Sequence, residues 1–249
     1  MKLIWKVDNE DICKVKKFVN ENRNPLVEKV IERNVDKKQP FPEKDMFLKS
    51  IIMCLLTSQQ PSGPNSKVGL FIQKTSFPIT YLSVKEQSDI SGFIKVLLMD
   101  NGLNRFINKI PNFFEKNFQF LEDSNWGLYY EIKEKLSGNP SKESERKMAD
   151  KVDVFFKGFG SKQSRNFLQS LGLTRYEVPL DSRIIKWLRD FGFPIELSSS
   201  ALQDKYYYHF ILDGFQELCE KAELFPCVVD AAIFSSFDNG QWTKENAIY

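Results

Sequence analysis

The stretch FFKGFGSKQSRNFLQSLG, Phe155 to Gly172, sets two glycines around one aromatic and follows them with Ser161, Lys162 and an apolar helical pattern. Gly158 and Gly160 permit a tight turn between a helix ending near Phe156 and one starting near Ser161. Ser161 has the side chain of a helix cap, and Phe159 is expected to plug the hairpin into the core. The first turn of the second helix offers unpaired backbone N–H groups and the positive end of a helix dipole, which suit a phosphate. A P-loop is excluded, because GFGSK lacks the wider glycine spacing and no strand precedes it. Taken alone, the same residues also fit a plain helix–helix turn.

Further along, VPLDSRIIKWL brings an acid, Asp181. The residue before Pro179 avoids α geometry, so VPLD reads as an extended approach with Asp181 at the cap of the helix SRIIKWL. Capping alone would account for the aspartate. A short loop between the two helices also lets Lys162, on the first turn of one, lie across a cleft from Asp181 at the start of the other.

The elements that must position these residues read almost entirely as helices. Apolar positions recur at three- and four-residue spacing over 10–22 and 25–34. KKQPFPEKD (37–45) is a linker, and MFLKSIIMCLLTSQQ (46–60) is apolar nearly all round, as a central buried helix should be. It stops at PSGP. Further helices are expected at 65–75, 84–100, 104–121 and 124–136, then from an Asn139 cap and a first-turn Pro140 to about 156. After the hairpin they follow near 161–171, 182–191, 200–224 and 228–237. The best strand candidate is the short FPITYL (77–82). The expectation is an all-α protein of around ten helices.

Composition limits the function. The chain has 249 residues, 42% of them hydrophobic and 14% aromatic, enough for a substantial core in one large or two small domains. Net charge is only +2, but its distribution is uneven. Lys157 to Arg189 holds seven Lys/Arg against Glu177 and Asp181, whereas Asp190 to Tyr249 holds three Lys against ten acids. A basic segment beside an acidic one focuses a positive field, although a solvated helix face produces the same count. Cys13, Cys54, Cys219 and Cys227 show no CxxC spacing, and the single His209 follows YYY, which argues against a zinc or iron–sulfur site. No metal or cofactor is expected. With no signal peptide and no apolar run near membrane length, the expectation is a reducing, cytoplasmic, soluble protein, nucleoid-associated if prokaryotic.

GFGSKQSRNFLQSLG…VPLDSR resembles the helix-hairpin-helix and Gly/Pro…Asp signature of the helix-hairpin-helix superfamily of base-excision DNA glycosylases. KQSRNFLQSLG is most similar to the compact 8-oxoguanine DNA glycosylases of archaea and some bacteria. Two further stretches agree: LLTSQQ (55–60) resembles the buried helix that delivers a DNA-intercalating amide, and DNGLNRFINKI (100–110) resembles a segment of the barrel domain. The resemblance covers about 45–190 and is strongest over 156–187. The chain departs from the family pattern where His often follows the acid by two residues (here Arg183). It departs again four residues after the lysine, where the eukaryotic enzymes have cysteine (here Asn166), and it lacks the iron–sulfur cysteines of endonuclease III.

The resemblance implies two helical subdomains flanking a cleft, 1–43 with 176–249 and 44–175, the latter holding the helix-hairpin-helix at 143–172. It implies a monomeric DNA glycosylase/AP lyase acting on double-stranded DNA that carries a damaged base, with 8-oxoguanine the first choice. Lys162 would be the nucleophile and Asp181 the acid shared across the superfamily. Gly158, Phe159, Gly160, Ser161, Arg183 and Lys67 would hold DNA, and Gln59 would fill the gap left by a flipped base. Trp242 and Phe234 would complete the base pocket, although Phe234 and Phe237 also read as an i, i+3 core pair. A nucleophilic lysine is helped by neighbouring cations, for which Arg165 and Arg183 are candidates. Three readings stay open: this enzyme, the same fold acting on another modified base or without lyase activity, and a non-enzymatic DNA-binding module.

Overall fold

The computed structural model describes residues 4–58, 60–198, 200–238 and 242–247. In chain order the α-helices are α1 (Asn9–Glu21), α2 (Pro25–Val30), α3 (Lys44–Leu56), α4 (Lys67–Ile72), α5 (Tyr81–Lys85), α6 (Ile90–Asp100) and α7 (Ile110–Asp123). They continue with α8 (Gly127–Leu136), α9 (Lys142–Phe155), α10 (Ser161–Ser170), α11 (Ser182–Phe191), α12 (Lys205–Lys221) and α13 (Pro226–Ser236). A π-helical turn, Ile31–Val35, extends α2, and a 3-10 turn, Ala201–Gln203, precedes α12. Among the described residues there is no strand, and no helix is long and apolar enough to cross a membrane. The protein is all-α.

The chain forms two compact units. One comprises Met1–Gln39 and Gly172–Tyr249, the other Pro40–Leu171.

In the discontinuous unit, Asp8 caps α1 through the amides of Glu10 and Asp11, and Asn24 caps α2 just before Pro25. Asn24 also donates to Ser235 Oγ at 2.7 Å, which ties α2 to α13. Val15 and Val19 of α1 and Val27 of α2 join a core of Tyr208, Leu212 and Phe215 from α12 and Val229, Ala232 and Ile233 from α13. The amphipathic α11 adds Ile184, Ile185, Trp187 and Leu188. Cys219 and Cys227 are buried and form no disulfide, and burial pushes the Cys219 thiol up; Cys13 is exposed.

In the continuous unit α3 is buried on nearly every side, and it packs against α4, α5, α7 and α10. Phe47 near its start meets Phe167 at 4.7 Å and Tyr129 at 5.2 Å between ring centroids, both edge-on. The helix ends at Leu56, earlier than its apolar pattern suggested, and Thr57 Oγ1 turns back to the Cys54 carbonyl at 3.2 Å.

Three local expectations are corrected. FPITYL is not a strand: Thr80 and Ser83 form a reciprocal capping box that starts α5 at Tyr81. Ser141, not Asn139, caps α9, its hydroxyl accepting from the Ser144 amide at 3.2 Å. The segment 104–109 is a turn with Phe106 at φ +54, and α7 starts only at Ile110, just before Pro111.

Candidate active site

The hairpin of the continuous unit runs from Phe156, which ends α9, to Ser161, which starts α10. Its two glycines have different reasons to be there. Gly158 has φ +80, and a Cβ on it would stand 2.5 Å from Phe113 and 2.8 Å from Leu55, so only glycine fits. Gly160 is extended, at φ −146 and ψ −173, with nothing within 4 Å of a Cβ. The expectation that both glycines make the turn is therefore corrected: Gly158 makes it, and Gly160 leaves open space beside the helix start. Between them Phe159 is half-buried, with Phe156 at 5.4 Å and Phe167 at 5.8 Å.

Ser161 is not the cap. Gly160 holds that position, no side chain caps α10, and the Ser161 hydroxyl donates to Asp153 Oδ2 of α9 at 3.1 Å. Among the described residues, the first-turn amides of α10 thus receive no side-chain acceptor. A residue outside the motif fixes the turn: buried Asn117 of α7 accepts from the Lys157 amide at 2.7 Å and donates to the Lys157 carbonyl at 3.1 Å. Its signal in the sequence was a polar residue on the apolar stripe Ile110, Phe114, Phe118, Leu121.

Lys162 lies on the first turn of α10 and is half-buried. Burial pushes the Cys54 thiol of α3 well above the ordinary thiol range, and the charge of Lys162 pulls it the other way. The lysine therefore sits close to the C-terminal end of the unit's central helix. Arg165 does not serve as a free neighbouring cation. It is fully buried, pairs with Asp150 at 3.0 Å and donates to the Ser161 carbonyl at 3.1 Å.

On its other face α10 grips the end of α3. Gln163 donates to Ser58 Oγ at 2.7 Å, and Asn166 donates to Thr57 Oγ1 at 3.4 Å. Gln59, the next residue, lies outside the described residues. Lys67 is exposed at the start of α4, capped by Ser66, and its ammonium passes over Gly102.

In the discontinuous unit Asp181 is the N-cap of α11, accepting from the amides of Arg183 at 2.8 Å and Ile184 at 3.1 Å. The carboxylate is half-buried, with one oxygen carrying both bonds. Arg183 places its guanidinium over the Phe234 ring, 3.9 Å from the centroid, with Nη1 buried and no hydrogen-bond partner for it among the described residues. Trp242 is buried beside Phe234, 5.7 Å between centroids, and its indole N–H donates to Asp238 Oδ2 at 3.3 Å. Burial raises the Asp238 carboxyl, and the charge of Arg183 and the Trp242 bond lower it by less. Phe237 is 40% exposed, so Phe234 and Phe237 are not a core pair. Sequence reasoning missed Asp238, which stands four residues before Trp242.

No family model matches the sequence, and no curated protein matches it. Among solved structures the chain is similar to the crystal structure of the 8-oxoguanine DNA glycosylase of Methanocaldococcus jannaschii. The TM-score is 0.68 at 14% identity, over 93% of this chain and 96% of that one. The two share a fold. The likeness covers residues of both units rather than only the motif-bearing stretch.

Proposed function

We propose that this protein is a base-excision DNA glycosylase with AP lyase activity, acting on oxidised guanine in double-stranded DNA. The observation that carries the reading is the shared fold over nearly the whole of both chains, coinciding with a lysine on the first turn after the hairpin and an aspartate at the next helix cap.

A base inside a duplex must first be flipped out, at a cost of a few kcal/mol. The open side of Gly160 and the uncapped amides of Ser161 and Lys162 suit a phosphate oxygen, with Gly158 and Phe159 shaping the turn beneath them. Lys67 adds a cation to the backbone contacts, Gln59 fills the space left in the stack, and Arg183 donates to phosphate. The extruded base enters the pocket of Phe234 and Trp242.

The neutral amine of Lys162 attacks C1′ as the N-glycosidic bond breaks and its electron pair leaves with the base. Positive charge develops on the sugar, and the Asp181 carboxylate stabilises it. Loss of the ring oxygen bond gives an imine between Lys162 and C1′. Removal of a C2′ proton then expels the 3′ phosphate by β-elimination and nicks the strand.

Borohydride reduction during turnover tests this directly. A duplex with a single 8-oxoguanine should yield a covalent protein–DNA adduct. Lys162→Ala should lose the adduct and still bind the duplex. Undiminished trapping in that variant would move the nucleophile elsewhere, and base release with no adduct would make the enzyme monofunctional.

A further inference from the structure

The segment from Gly172 to Leu180, between α10 and Asp181, has no regular secondary structure, yet Leu173, Thr174, Glu177, Val178 and Leu180 are buried. A buried loop must find partners for its backbone polar groups. Here side chains and one amide of the discontinuous unit supply them almost residue by residue. Lys37 Nζ donates to the Gly172 carbonyl at 2.6 Å, and Asn34 Nδ2 to that of Thr174 at 2.7 Å. The Cys227 amide donates to Arg175 at 3.0 Å, and Gln216 Nε2 to Tyr176 at 2.9 Å. Thr174 Oγ1 closes onto the Glu177 carbonyl at 3.1 Å.

The last partner is Tyr208 of α12, which is fully buried. Its hydroxyl donates to the Val178 carbonyl at 3.0 Å and accepts from the Leu180 amide at 2.7 Å, spanning Pro179, which has no N–H to give. One oxygen atom therefore fixes both backbone groups on either side of the proline, immediately before Asp181. The far end of this strap is held as firmly. Lys37 keeps a left-handed backbone, φ +53, and a Cβ at Gly172 would stand 2.6 Å from the Arg33 side chain. A non-glycine residue in that region is strained and persists only where its surroundings impose it.

We propose that Tyr208 is a positioning residue for Asp181: its hydroxyl sets the direction in which the strap delivers the carboxylate, without touching DNA. The inference rests on the catalytic reading of Asp181 given above. Small displacements of a reacting group are costly in rate, about a hundredfold for 1 Å. Removing one hydroxyl while keeping the ring should therefore slow excision without weakening DNA binding.

The experiment is a double-mutant cycle with Tyr208→Phe and Asp181→Asn, read by single-turnover excision well below the melting temperature. Tyr208→Phe alone should lose about tenfold or more in rate at unchanged duplex affinity, and should lose nothing further in the Asp181→Asn background. Equal losses in both backgrounds would overturn the proposal, because a merely structural defect does not depend on Asp181. Amide hydrogen exchange gives a readout free of activity. The Arg183 and Ile184 amides, which Asp181 holds, should exchange faster in Tyr208→Phe, and unchanged protection there would equally overturn the proposal. If Asp181→Asn alone excises at the wild-type rate, the catalytic reading of Asp181 fails and the positioning proposal falls with it. Lys37→Gly, which relaxes the strained backbone and frees the Gly172 carbonyl, is the second variant should Tyr208→Phe fold poorly. It too should lose rate only while Asp181 is present.

Discussion

Asn117 of α7 closes both hydrogen-bonding groups of the Lys157 backbone, accepting from its amide at 2.7 Å and donating to its carbonyl at 3.1 Å. The side chain has no exposed surface, so the hairpin leaves α9 against a fixed, dry anchor. Asn117→Asp keeps the acceptor and turns the donor into a second acceptor facing a carbonyl. The expected loss is about 1–3 kcal/mol of stability, read as a lower urea midpoint with an unchanged slope. Duplex affinity should fall as well, and an unaltered midpoint would show that the anchor is dispensable.

The two hairpin glycines should separate stability from binding. Gly158→Ala meets Phe113 and Leu55 and a positive φ, and should destabilise by about 1–3 kcal/mol. Gly160→Ala has open space and an extended backbone, so the loss should be no more than about 1 kcal/mol for a poorer cap. Its duplex affinity should nevertheless drop, with a shallower dependence on salt, because the methyl occupies the side a phosphate would approach. Wild-type affinity in folded Gly160→Ala would remove the hairpin as the anchor.

Asp181→Asn retains an oxygen able to cap α11 and discards the charge. Its melting temperature should match wild type, the cap being worth about 1 kcal/mol even when lost altogether. Base excision should fall by about a hundredfold or more. Activity that survives the substitution would leave Asp181 a cap and nothing else.

The raised carboxyl of Asp238 predicts a pH signature of its own. A carboxyl raised by folding binds its proton more readily in the folded chain than in the unfolded one. Its contribution to stability is therefore greatest at low pH and is lost as pH rises through the folded pKa. Asp238→Asn removes this titration, so it should melt above wild type near neutrality. The difference should shrink as pH falls through the carboxylate range, about pH 6 to pH 3. A difference independent of pH would assign the effect to packing against Trp242 instead.

What the sequence revealed and what it hid divide along the range of the interactions. The all-round apolar run of α3 and the amphipathic α11 follow from local periodicity, and both are helices buried as their spacing implies. Asp181 as a cap follows from the proline two residues before it. The Asn117 clamp and the Tyr208 bridge join residues 40 and 30 positions apart, where no local pattern reaches. The unequal needs of Gly158 and Gly160 were hidden for the same reason, since Phe113 and Leu55, which crowd only one of them, are distant in sequence. Ser161 was misjudged by a single position, because Asp153 claims the hydroxyl a cap would have used.

The order in which the chain leaves the ribosome gives the split unit a waiting period. Helices α1 and α2 emerge first, but the helices they pack on, α12 and α13, follow the whole of Pro40–Leu171. At ordinary rates of synthesis that delay is on the order of ten seconds, far longer than a helix needs to form. Throughout it Val15, Val19, Val27 and Val30, all buried in the finished molecule, stand uncovered. Their nearest companions are Lys14, Lys16, Lys17, Glu21, Arg23 and Glu28, a charged guard of the kind that discourages neighbouring nascent chains from sticking. The charges that pair on the finished surface, as Lys14 does with Glu10, thus have a use before the fold exists.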